Sequence, residues 1–60
     1  MKNSIEATTE QGNIYRVFEW GGKFTLTVKY LSGDTKEIET YDTWESACNG
    51  VVSVIKEDSR

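Results

Sequence analysis

The chain has no histidine and only one cysteine. Without histidine, a Ser-His or Cys-His nucleophile cannot be built. A zinc site made of Cys and His is excluded within one chain, and a lone thiol cannot close an intramolecular disulfide. No apolar run approaches the roughly 20 residues that a membrane-spanning helix needs. The opening MKNSIEATTEQ lacks the apolar centre of a signal peptide. With the lone thiol, this sets the expectation of a cytoplasmic protein from a bacterial or viral source. Basic residues are also scarce, 7 against 10 acidic ones for a net charge of −3. A phosphate-binding surface normally shows as a basic stripe, so nucleic acid is not an expected partner. Neither a cofactor nor a metal is expected, and no catalytic role.

Sixty residues make one small domain. A chain of this length buries only about 60% of its unfolded surface on folding. Small folds usually gain stability from a disulfide, a metal or a partner subunit. The first two are absent, which leaves oligomerisation.

Residues 1–12 are polar and read as a flexible leader. Residues 13–57 form the domain, and 58–60 a solvated tail. In NIYRVFEW, β-branched and aromatic residues dominate. In KFTLTVKY, Phe24, Leu26, Val28 and Tyr30 alternate with Lys and Thr, the period of a strand with one buried face. Gly21-Gly22 between these runs predicts a two-residue hairpin. That turn sets Val17 opposite Leu26 and Tyr15 opposite Val28. Tyr15, Val17, Phe24, Leu26 and Val28 then face the core. A slip of one residue would bury Phe18, Trp20 and Arg16 instead, which is disfavoured because Arg is rarely buried unpaired.

A second turn, with Leu31-Ser32-Gly33 as a three-residue loop, leads to a third strand over about 34–40. It pairs Leu26 with Ile38, keeps Ile38 in the core and leaves Glu37 and Glu39 outside. A helix follows, with Asp42 or Thr43 as its cap and Asp42-x-x-Glu45 as a capping box. Trp44, Ala47, Cys48, Val51 and Ile55 form its apolar stripe, with Val54 beside it. The expected fold is α+β: a three-stranded antiparallel β-meander with one C-terminal helix packed on one face.

The segment Y41-D-T-W-E-S-A-C-N-G-V-V-S-V54 resembles the signature of the YegP-like family of small bacterial proteins of unknown function. Tyr41, Ala47, Asn49, Gly50, Val51, Ser53 and Val54 fit its pattern. G22-K-F-T-L-T-V-K29 and S32-G33-D34 resemble the family's alternating strand and following turn. The resemblance covers roughly residues 13–56, with Trp44 standing where the family commonly has a basic residue. Many members carry the motif twice in tandem, so a single copy implies association of two chains as a homodimer. No catalytic residues are implied.

The outer sheet face is the candidate functional surface. In this register it carries Arg16, Phe18, Trp20, Lys23 and Tyr41 together with Thr25, Thr27, Glu37 and Glu39. Aromatic residues clustered with Arg are what interface cores favour. Glu37 and Glu39 share a face and could hold a cation weakly, but a solvated face paired with Lys23 and Lys29 is preferred. Cys48, on the apolar stripe, reads as a small hydrophobe. The expected function is a small non-enzymatic protein-interaction module that self-associates through its sheet. The alternative is a phage- or prophage-type inhibitor that binds a host protein.

Asn49-Gly50 stands in mid-helix, where glycine costs about 1 kcal/mol relative to alanine. Three readings account for it. Gly50 lets the helix approach a sheet side chain or another chain, Asn49 satisfies a neighbouring backbone group, or Asn49 touches a ligand. Close packing by Gly50 is preferred.

Overall fold

A computed structural model describes residues 4–58. Its elements are β1 (Ser4–Thr8), β2 (Ile14–Trp20), β3 (Lys23–Lys29), β4 (Thr35–Tyr41) and α1 (Trp44–Asp58). The strands form one antiparallel sheet in the order β1-β2-β3-β4. The α+β class and the C-terminal helix agree with the sequence reading, but the sheet has four strands rather than three. The extra strand comes from the polar leader, where Ile5 pairs with Val17 and Ala7 with Tyr15. At the other end, Asp58 belongs to the helix rather than to a tail, and residues 59–60 lie outside the described residues.

The β2–β3 hairpin turns on Gly21 and Gly22, both at positive φ (59° and 80°), as a two-residue loop with the twist of its strands requires. Trp20 pairs with Lys23, Val17 with Leu26 and Tyr15 with Val28. This is the register set by the turn and by the position of Arg16. Val17, Leu26 and Val28 are fully buried and form the core with Tyr15, Ala47 and Val51. Phe24, Tyr41, Trp44, Val54 and Ile55 pack around them.

The β3–β4 connection is the three-residue loop Leu31-Ser32-Gly33. The Tyr30 amide donates to the Asp34 carbonyl (2.8 Å), and the Gly33 amide to the Tyr30 carbonyl (2.8 Å). The expected pairing then holds as far as Thr27 and Glu37. There it breaks, because Leu26 pairs with Glu39 and not with Ile38. Ile38 is the extra residue of a β-bulge. It is 36% exposed and lies outside the core, contrary to the sequence reading. The bulge also moves every later residue of β4 by one. Thr40 now pairs with Thr25, and Tyr41 with Phe24.

Thr43 caps α1. Its hydroxyl accepts from the Ser46 amide (3.1 Å) and donates to the Ser46 hydroxyl (3.0 Å). The expected Asp42–Glu45 box does not form, since Asp42 binds Lys23 instead. Ala47 and Val51 face the sheet, one turn apart. Among the described residues, no helix is long and apolar enough to cross a membrane.

Candidate functional site

The helix covers one face of the sheet, and the other carries the candidate site. Strand pairing arranges that face in rows across the strands. One row is Ser4, Phe18, Thr25 and Thr40; the next is Glu6, Arg16, Thr27 and Glu37. Trp20 and Lys23 lie beyond the first row, and Ile14 and Lys29 beyond the second. Trp20 is 77% exposed and Phe18 37%. Thr25 is only 6% exposed although no helix covers it; it sits between Phe18 and Thr40 in the row. The aromatic end of this face is therefore closely filled.

The other end is hollowed. Glu6, Ile14, Arg16, Thr27, Lys29 and Thr35 line an open depression of about 210 Å³. Arg16 and Lys29 are diagonal neighbours on the two central strands, and neither forms an ion pair among the described residues. The Thr27 hydroxyl reaches the Arg16 carbonyl at 3.4 Å. The lining offers two cations, one carboxylate, two hydroxyls and the Ile14 side chain. That composition suits recognition of a polar surface.

Arg16, Phe18, Trp20 and Lys23 thus share one face, as the sequence reading placed them. Tyr41 does not join them. The Ile38 bulge brings it into register with Phe24, half-buried against the helix. A side-chain carbon built on Gly50 would lie 2.6 Å from Tyr41 Cζ and 3.0 Å from Cε2. Gly50 therefore leaves room for the Tyr41 ring, while Asn49 next to it is exposed. Glu37 and Glu39, read as two acids on one face, are separated by the bulged residue. Lys23 pairs with Asp42, not with either glutamate, and holds the Asp42 carboxyl below its usual range by hydrogen bonding and charge.

A polar cluster that was not read from the sequence ties the first hairpin to the helix end. Asp58 Oδ2 accepts from Asn13 Nδ2 and from the Tyr15 hydroxyl, both at 2.9 Å. Gln11 Nε2 donates to the Asp58 carbonyl, also at 2.9 Å. A carboxylate at a helix C-terminus opposes the helix dipole. The donors outweigh that cost: the Asn13 bond first, and that of Tyr15 after it, hold the Asp58 carboxyl below its usual range. Burial and the Asp58 bond push the Tyr15 hydroxyl up to about 12. The Asn13 carbonyl oxygen of the side chain accepts from the Leu31 amide (3.3 Å), so the cluster reaches the second loop as well. Asn13, the first residue of the domain as read, carried no periodicity that would have marked it.

No family model matches the chain, and neither does any curated protein or solved structure. The resemblance to the YegP-like family finds no support in these comparisons.

Proposed function

We propose that this chain is a small non-enzymatic protein-interaction module that self-associates through the outer face of its sheet. The observation that carries this reading is Trp20, 77% exposed on the same face as Phe18 and as Arg16, which forms no ion pair among the described residues. Trp and Arg are the residues most enriched among those that dominate interface energies. The marginal core of a 60-residue chain gives association a thermodynamic reason. The homodimer implied by the YegP-like resemblance agrees with it.

Sedimentation equilibrium from low to high micromolar protein tests the proposal. The wild type is expected to pass from one to two chain masses over this range. Trp20→Ala is expected to move that transition at least about tenfold higher in concentration, the loss expected of a central aromatic contact. A wild-type chain that stays monomeric throughout overturns the proposal.

A further inference from the structure

The outer face is divided along its strands into two unlike halves. The Phe18 row and Trp20 make an aromatic and hydroxyl half with Lys23, whose charge Asp42 neutralises. The Arg16 row with Ile14 and Lys29 makes a charged half. Glu6 and Glu37 flank the cations Arg16 and Lys29, so this half has no net charge while the chain as a whole carries −3. A second copy therefore meets less repulsion here than over the rest of the surface.

Resting on the self-association proposed above, we infer that two copies stack these faces about a two-fold axis that crosses the strands between the Phe18 and Arg16 rows. The operation exchanges the halves. Arg16 of each copy lies over Phe18 of the other, a cation over an aromatic face. Ile14 lies over Trp20 of the other copy, and Glu37 over its Thr40 hydroxyl. Lys29 comes to the Lys23–Asp42 pair, where Asp42 offsets the second ammonium. An axis along the strands, between β2 and β3, is the competing arrangement. It would set Glu6 over Glu37 of the second copy and Ile14 over its Lys29, opposing like charges and burying a cation against an aliphatic side chain.

Aligned sheets cross at about 30°, so contacts hold best near the axis, where Arg16 and Phe18 lie. Strand spacing and rise give a flat footprint of roughly 19 by 24 Å for the face. That is about 900 Å² over both copies, below the standard size of about 1,200–2,000 Å² and in the range of weak, transient encounters.

A two-fold contact of this kind has a signature that simple loss of binding lacks. An Arg16→Ala homodimer loses both Arg16–Phe18 contacts, and so does a Phe18→Ala homodimer. A mixed dimer of the two keeps one. Native mass spectrometry of an equimolar mixture resolves the three dimers by mass. The ratio of mixed dimer to the two homodimers together, one to one by chance, is expected to rise about five- to tenfold, the worth of one desolvated cation–aromatic contact. Phe18→Leu, which keeps an apolar side chain over Thr25 but removes the ring, is expected to give the same excess with Arg16→Ala. Circular dichroism confirms that each variant is folded. A statistical mixture from a dimeric wild type overturns this orientation and leaves self-association standing. A monomeric wild type, seen by sedimentation before any mixing, overturns both.

Discussion

The Tyr41 ring packs against the backbone of Gly50, so the last residue of the sheet reaches the helix through the space that a side chain at position 50 would take. The position usually penalised in a helix is here one where a side chain would meet the Tyr41 ring.

Gly50→Ala sets two effects against each other. Helix propensity favours alanine by about 1 kcal/mol. Forcing a methyl into a filled site costs about 1–3 kcal/mol. The ring is held between sheet and helix, so it cannot swing away freely, and the net effect is expected to be destabilising. In a Tyr41→Val background the obstacle is gone, and the same Gly50→Ala change is expected to stabilise by about 1 kcal/mol. Urea unfolding of the four proteins measures both values. A stabilising Gly50→Ala in the wild-type background would show that the ring yields at no cost.

At alkaline pH the sensitive group is Tyr15. Its hydroxyl is pushed up to about 12, chiefly by burial and then by the Asp58 bond. A folded pKa above the unfolded value of about 10 means that the neutral form is favoured by folding. Its stabilising contribution is complete below about pH 10 and is lost as the pH rises toward 12. Absorbance at 295 nm is expected to show one tyrosine ionising last, together with loss of structure. Tyr15→Phe is expected to abolish that late step. A titration in which the late step survives the substitution would assign it elsewhere.

Asp58 governs the acid side with the opposite sign. Its carboxyl is held below the usual range, first by Asn13. The ionised form is thus favoured by folding. Its contribution is present above the unfolded carboxylate value of about 3.9 and lost as the pH falls through the folded one. Asp58→Asn is expected to lower the melting temperature at pH 7, and the gap to the wild type is expected to narrow below about pH 4. A gap that stays constant with pH would mean that the charge of Asp58 is irrelevant to stability.

The two candidate caps are separable. Thr43 binds the Ser46 amide, whereas Asp42 binds the exposed Lys23. Thr43→Ala is expected to cost about 1 kcal/mol. Asp42→Ala is expected to change stability far less, because exposed ion pairs contribute little. Equal losses from the two changes, measured by thermal unfolding, would contradict this assignment.

Much of the fold was legible because its signals are local. Gly21-Gly22 and the alternation of Phe24, Leu26 and Val28 are enough to set the β2–β3 register. The first strand was missed because SIEAT offers only Ile5 and Ala7 to the buried side. Its loop was nevertheless marked. Glu10-Gln11-Gly12 closes with the same bond pattern as Leu31-Ser32-Gly33: the Thr9 amide binds the Asn13 carbonyl, and the Gly12 amide the Thr9 carbonyl, both at 2.9 Å. The bulge had no such mark. Alternation through TKEIETY places Ile38 inward and Tyr41 outward, whereas the bulge turns Tyr41 inward, where it packs against the core and over Gly50. That misplaced one of the five residues read onto the outer face. The Asp58 cluster joins residues more than 40 positions apart, beyond the reach of any local pattern.

Every strand of the sheet lies beside its neighbour in sequence, and short loops join them. Such a chain can assemble by successive hairpins, each with a small loop-closure cost, and low contact order favours fast folding. The link between Asp58 and the first hairpin is among the longest-range contacts, with 43 to 47 positions between its partners. It is expected to form after the rate-limiting step. Stopped-flow kinetics of Asp58→Asn should then show faster unfolding with little change in the folding rate. The clasp between the β1–β2 hairpin and the helix end would act as a brake on opening rather than as a seed for assembly.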